Sequence, residues 1–197
     1  MTTPKTKTKL VDVARMLFAK NGLENTTMND IALASGKGRR TLYTYFKSKE
    51  EIYWAVIECE LERLIERMND VASQDTEPED KLVELVYTHL KMIKEAVQRN
   101  GNLRAEFFRN VIMVEKVRKK FDSNEQKLFT QVLTEGVRSG RFEIDSIPLY
   151  ADLIHYCIKG LEIPYIYGRL AQGLPSGMSR GIVQKIIHKA LSRKRMI

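Results

Sequence analysis

The fold is decided by residues 27–52, which read TMNDIALASGKGRRTLYTYFKSKEEI. Thr27 and Asp30 have the spacing of a capping box, in which the hydroxyl and the acidic side chain satisfy amide groups where a helix begins. A turn containing two glycines follows at residues 36–38, and a helix of about two turns is predicted over residues 39–46. The stretch therefore predicts two short helices joined by a tight turn.

A longer helix precedes this stretch and another follows it. The preceding helix has apolar residues on one face and ends at Asn21-Gly22; these residues are Leu10, Val13, Ala14, Leu17 and Phe18. Ser48 and Glu51 form a second capping box, which opens a long fourth helix. A helix, a capped short helix, a glycine turn and a second short helix are the layout of a helix-turn-helix unit, whose second helix normally enters the major groove of DNA.

The predicted helix over residues 39–46 has two different faces. Leu42 and Phe46 lie on the side that packs inward, and Tyr45 lies near that side. The opposite side carries cations and hydroxyl groups, which are able to bind phosphates and to read base edges; its residues are Lys37, Arg40, Thr44 and Lys47, flanked by Thr41 and Tyr43. The face opposite Leu42 is thus a candidate DNA-binding surface.

Residues 8–55 resemble the headpiece of the TetR family in the segments Thr26 to Ala32 and Thr41 to Ile52. The resemblance implies that Thr27 and Tyr43 bind phosphates, that Thr41 and Thr44 face bases or backbone, and that Lys47 and Lys49 anchor the fourth helix against the DNA. The DNA-binding set is Thr27, Lys37, Arg39, Arg40, Thr41, Tyr43, Thr44, Tyr45, Lys47 and Lys49.

The sequence departs from the family pattern at Lys37-Gly38-Arg39-Arg40, where the family commonly has a small apolar residue, Ser or Thr, a basic residue and Gly. Arg40 offers a bidentate donor suited to guanine, and a phosphate contact or solvation are its other readings. For Tyr45, core packing and DNA contact are both possible interpretations. The departure affects the choice of base sequence rather than DNA binding itself.

Charge is distributed unevenly along the chain. Residues 1–50 hold ten Lys or Arg against four Asp or Glu, whereas residues 51–184 hold eighteen basic against twenty-one acidic residues. Residues 185–197 add five basic residues and no acidic one. The positive field at the N-terminal quarter is what a protein that docks one end on a polyanion requires.

The rest of the chain shows helical periodicity and no alternating strand pattern, which predicts an all-α fold of about nine helices. The predicted domains are a helix-turn-helix domain over residues 1–50 and a helical ligand-binding and dimerisation domain over residues 51–197. A division of one helical stretch is predicted near Met113, and Pro164 is expected to kink or shorten a very apolar helix that starts near Pro148 and continues to about Gln172.

The TetR resemblance implies that the middle helices enclose a small-molecule cavity and that the last two helices form a homodimer interface. Candidate cavity residues, each of which also suits ordinary core packing, are Tyr87, Phe107, Phe108, Met113, Phe129, Tyr150 and Tyr156. Candidate interface residues are Ile158, Leu161, Tyr165, Ile182, Val183, Ile186, Ile187 and Ala190. The apolar stripe of the last helix either meets a partner subunit or closes the core of the monomer.

The composition and the scattered reactive residues argue against several other classes of protein. No apolar run reaches the roughly 18 residues that span a bilayer, and a cytoplasmic location is expected. Cys59 and Cys157 belong to no metal or redox spacing. His89, His155 and His188 lie on different predicted helices, so neither a catalytic group, a metal site nor a cofactor is predicted.

The leading prediction is a transcriptional regulator that binds an inverted-repeat operator as a dimer and is released by a ligand. That it represses rather than activates transcription is implied by the TetR resemblance alone. Its cavity lining suits an apolar or flat aromatic effector, although carboxylates such as Glu106 also permit a cationic one. The alternatives are a helical carrier or enzyme with an incidental basic head, and a nonspecific nucleic-acid-binding protein, whose affinity depends on charge alone.

Overall fold

The computed structural model describes residues 5–100, 111–170 and 178–191, with backbone alone for residues 111–117 and 178. The all-α prediction is confirmed, since these residues form eight α-helices and no β-strand: α1 Lys5–Asn21, α2 Met28–Ser35, α3 Arg39–Tyr45, α4 Lys49–Ala72, α5 Pro78–Arg99, α6 Val111–Arg138, α7 Ile147–Ile166 and α8 Met178–Leu191. Helix α6 is described from Val111, so the division predicted near Met113 falls where the described residues begin. None of the eight described helices combines the length and apolar character that crossing a bilayer requires.

The capping box predicted at Thr27 is present. The Thr27 hydroxyl accepts from the Asp30 amide at 3.1 Å, and the Asp30 carboxylate accepts from the Thr27 amide at 2.8 Å. Gly36 ends α2 in the left-handed conformation, with φ of 65°, which a residue with a side chain adopts only at a cost. These local interactions fix the turn that leads from α2 to α3.

The three headpiece helices share one apolar core. Five side chains from α1, α2 and α3 have no exposed surface: Leu10, Ala14, Phe18, Ile31 and Leu42. The core extends into α4, because Ile52, Tyr53 and Val56 are buried and the ring of Tyr53 meets that of Phe18 edge-on at 6.4 Å between centroids. The first half of α4 therefore belongs to the headpiece in packing terms.

The chain accordingly divides into two compact units at a different place from the predicted boundary at residue 50. The head unit comprises Met1–Glu62 and Glu95–Lys119, and the body unit comprises Arg63–Lys94 and Lys120–Ile197. Three of the described helices, α4, α5 and α6, contribute residues to both units. The apolar face that α4 turns toward α1 places the first part of α4 in the head unit.

In the body unit, α7 begins and ends as its prolines require. Pro148 lies in its first turn, where the missing amide is not needed, and the Ser146 hydroxyl caps the start. Pro164 lies inside the last turn, and the helix ends two residues later at Ile166. The helix thus ends before the predicted limit near Gln172, in agreement with the prediction that Pro164 shortens it.

Helix α8 is attached to α5 through polar side chains. Gln184 donates to Asp80 at 2.9 Å, Arg180 pairs with Glu84, and His188 lies 3.2 Å from Glu79. These contacts occupy one side of α8 and are exposed to solvent. The aliphatic side of α8 consequently faces elsewhere.

Candidate DNA-binding surface and buried core of the body unit

Helix α3 presents the polar face that the sequence predicted. Leu42 is fully buried and Phe46 is nearly so, and both hold the helix against the headpiece core. The exposed residues from the predicted set are Arg39, Arg40, Tyr43, Thr44 and Lys47, with Lys37, Thr41 and Tyr45 half-buried beside them. The structure thus brings three cations and two hydroxyl groups together on the exposed side of one short segment.

Two internal contacts organise this face. The Arg39 guanidinium lies 5.9 Å from the centre of the Tyr43 ring, which suits a cation–π interaction. The Thr44 hydroxyl donates to the Arg40 carbonyl at 2.9 Å, so its oxygen is left to accept a hydrogen bond, as from the amino group of a base. Arg40 itself extends from the exposed face of α3.

Thr27 has a structural role that restricts its predicted phosphate contact. Its hydroxyl donates to the Asp30 carboxylate at 2.7 Å while it accepts from the Asp30 amide. These hydrogen bonds from the Thr27 side chain and amide lower the pKa of Asp30. A phosphate that bound Thr27 would have to take the hydroxyl proton away from Asp30.

Lys49 also has an internal role. Its ammonium donates to the carbonyls of Leu23 at 2.7 Å and Glu24 at 3.2 Å, in the loop between α1 and α2. Sequence reasoning missed Lys7. Its ammonium lies 5.7 Å from the centre of the ring of Phe46, the residue that precedes Lys47. Only the basic character of the N-terminal residues pointed to Lys7.

The predicted cavity residues do not form one group. Phe107 and Phe108 lie outside the described residues, and for Met113 only the backbone is described. Phe129 is fully buried, Tyr150 is half-buried, and the half-buried Tyr87 bonds Ser179 at 3.3 Å. Tyr156 is 64% exposed, so its assignment to the interior is corrected: it lies on the outer side of α7.

The predicted interface residues of α7 also need correction. Ile158 is 2% exposed and therefore belongs to the interior, while Leu161 and Tyr165 are half-buried. The outer side of α7 carries large apolar side chains instead: Leu149, Leu153, Tyr156, Ile163 and Tyr167, the last just beyond the helix. On α8, Ile182, Ile186 and Ala190 are exposed, and Val183 and Ile187 are half-buried. The exposed apolar side of these two helices is called the α7–α8 face below.

Four titratable side chains, which the sequence left apart, meet inside the body unit. His89 of α5 bonds the Glu125 carboxylate of α6 through Nδ1 and the Glu162 carboxylate of α7 through Nε2, the latter at 3.0 Å. His155 Nδ1 reaches the other oxygen of Glu125 at 2.6 Å. His188, by contrast, lies on the surface. The seven-residue spacing of His155 and Glu162, which places both on one helix face, was the available signal.

This buried network is strongly ionic. Burial disfavours a charged imidazole, but the hydrogen bonds that His89 donates to Glu125 and Glu162 outweigh it and raise the pKa of His89 to about 9. Burial likewise opposes ionisation of Glu125, and the hydrogen bonds from both histidines lower its pKa nevertheless. In the described part of the chain, no three His, Cys, Asp or Glu side chains have the arrangement of a metal site.

We expect the network to make the body unit sensitive to alkali. Since the pKa of His89 is raised in the folded protein, its stabilising effect is complete below about pH 6.5 and declines as the pH rises through about 9. Urea unfolding at pH 6 and pH 9.5 should show a loss of about 3 kcal/mol in the wild type. His89→Gln should show much less alkaline loss. Equal pH profiles for both proteins would contradict the assignment.

Comparison with known proteins gives the same picture. Residues 10–56 match the family model described as bacterial regulatory proteins, tetR family. The chain is 29% identical over 156 residues to the transcriptional repressor KstR2 of Mycolicibacterium smegmatis, covering 77% of this chain and 73% of that protein.

Solved structures share the fold. A TetR/AcrR regulator from Thermobifida fusca superposes with a TM-score of 0.72 at 19% identity, over 96% of this chain and all of that one. FadR from Bacillus subtilis, solved with stearoyl-CoA, superposes with a TM-score of 0.66 at 20% identity, over 91% of this chain and 96% of that one. The headpiece therefore matches the TetR family model, and the chain as a whole has the fold of solved TetR/AcrR regulators.

Proposed function

We propose that the chain is a homodimeric repressor that binds an inverted-repeat operator in the bacterial cytoplasm and releases it when a small molecule binds the body unit. The observation that carries the proposal is the exposed face of α3, on which Arg39, Arg40, Tyr43 and Thr44 stand over the buried Leu42. A helix-turn-helix dimer places two such helices in successive major grooves. Because the family consists of transcriptional regulators, it offers the enzyme alternative no support.

The α7–α8 face supports the homodimer. On α7, Leu149, Leu153, Tyr156 and Ile163 follow the three- and four-residue spacing of a helix-packing seam, with Gly160 at the remaining position. Leu149 and Leu153 are more than half exposed in the single chain. Contiguous apolar surface of this kind marks an interface, and a second copy supplies the same surface by symmetry.

Helix α8 continues the argument. Ile182, Ile186 and Ala190 recur every four residues and are exposed, whereas Gln184 lies on the side that bonds α5. The alternative in which this stripe closes the monomer core is therefore disfavoured. A four-helix interface built from α7 and α8 of two copies covers both stripes.

The dimer is tested by placing a charge in the seam. Leu153→Asp should give monomers in light scattering at micromolar concentration, because a buried unpaired carboxylate opposes association. It should also weaken binding to a full operator by at least about tenfold, as the two heads would no longer bind together. Val137→Asp adds the same charge at an exposed apolar position of α6 and is the control. Unchanged dimers of Leu153→Asp would contradict this interface.

The roles of the α3 residues are tested by comparing specific and random DNA. Arg40→Ala should weaken binding to the selected operator by about 1 to 3 kcal/mol and leave random DNA nearly unaffected, since a base contact is lost. Lys47→Ala should weaken both alike and lower the salt dependence by about one counterion. Equal losses on both DNAs from Arg40→Ala would favour a phosphate contact, and no selected sequence at all would favour the nonspecific alternative.

The effector is proposed to be apolar, with acyl-CoA thioesters as the first class to test. FadR of Bacillus subtilis was solved with stearoyl-CoA, and Phe129 and its neighbours provide an apolar interior in the body unit. A ligand releases DNA only if it prefers the conformation that DNA does not bind. We expect stearoyl-CoA to lower operator affinity by about tenfold or more, and coenzyme A alone to have no effect. Release by coenzyme A, or none by either, would reject this class.

A further inference from the structure

A buried carboxylate joins three helices of the head unit. Glu60 of α4 is 8% exposed and lies between Arg15 of α1 and Arg99, the last residue of α5. Its Oε2 accepts from the Arg99 guanidinium at 2.8 Å, and its Oε1 accepts from Arg15 at 3.4 Å. Arg15 is held from its other side by Asp12 at 3.0 Å.

Both arginines contribute to stabilising the buried carboxylate of Glu60. A carboxylate removed from water is costly to bury, and only good geometry with its cations offsets that cost. Arg99 supplies two donors to Glu60, because Nε also lies 3.4 Å from Oε1. The planar fork of a guanidinium fixes direction as well as charge. The end of α5 is therefore held in one orientation relative to α1 and α4.

A second set of contacts binds the headpiece to α4. At the start of α4, the Lys49 ammonium bonds the carbonyls of Leu23 and Glu24. Between Lys49 and Glu60 along the helix, the ring of Tyr53 contacts that of Phe18. From Lys49 to Glu60 the helix rises about 16 Å. Bonds at both ends of this length leave no hinge between the headpiece and the first half of α4.

We infer that Glu60 is a positioning residue that sets the angle of the headpiece through Arg15 and Arg99, and thereby the spacing between half-sites that the dimer accepts. The inference rests on the proposed dimeric binding of an inverted repeat. Helix α5 is continuous from Pro78 to Arg99, so a displacement of this helix reaches Glu60 without passing a loop. The headpiece then turns with α4 as one body.

The test compares operators that differ only in spacing. The DNAs are the duplex selected by the wild-type protein, the same duplex with one base pair added or removed between half-sites, and a duplex with a single half-site. The proteins are full-length Glu60→Gln and Arg99→Gln. Asp12→Asn is the matched control, because it removes a neighbouring carboxylate that pairs with Arg15 and leaves the Arg99–Glu60 contact in place.

The wild type and Asp12→Asn should prefer the native spacing by about tenfold, and Glu60→Gln and Arg99→Gln should reduce this preference to about twofold or less. Their affinity for the single half-site should stay within about twofold of wild type, a result that damage to the headpiece would not give. Arg99 is 39% exposed in its side chain, so Arg99→Gln carries the test if Glu60→Gln does not fold.

An unchanged spacing preference in Arg99→Gln would overturn the inference, and so would a parallel loss on single and double sites. If the wild type itself shows no spacing preference, the proposed dimeric mode fails first. That failure is visible before any variant is measured.

Discussion

Helix α3, which carries the proposed DNA-binding face, has only seven residues, and a helix this short is not stable by itself in water. Its orientation therefore depends on the burial of Leu42 and Phe46 against the rest of the headpiece, and on the turn at Gly36 that precedes it. The side chains proposed to face DNA are presented by a segment with little stability of its own. Every contact that fixes α1 and α2, including the Thr27 capping box and the Lys49 bonds to the loop between these helices, contributes indirectly to the geometry of the candidate DNA-binding surface.

The headpiece was predictable because its determinants are local. Caps, glycine turns and the position of Leu42 follow from residues at most four apart, and the structure confirms the Thr27 capping box and the inward position of Leu42. The faces of α7 were not predictable in the same way. This helix is apolar on nearly every side, so nothing in the local pattern indicated that Tyr156 is exposed and Ile158 is buried, the reverse of the prediction. The His89 network was also missed, because its members come from three helices and meet only when these pack.

The two units use charge in opposite ways. The cations of the headpiece remain in water on α3, where they are available to a polyanion and contribute little to folding. In the body unit the charges of His89, Glu125 and Glu162 are buried and bonded to one another, so they constrain the packing of α5, α6 and α7 and exclude arrangements that would leave a carboxylate unpaired. Glu60 follows the second pattern inside the head unit.

The attachment of α8 to α5 has a consequence for how the protein is assembled. Because the bonds of Arg180, Gln184 and His188 are exposed, each is screened by salt and contributes little free energy alone. A helix held this weakly gains most of its order from whatever covers Ile182 and Ile186. In the proposed homodimer, subunit pairing and the ordering of α8 form a single concentration-dependent equilibrium, so cellular abundance would itself govern how much of the protein is fully folded.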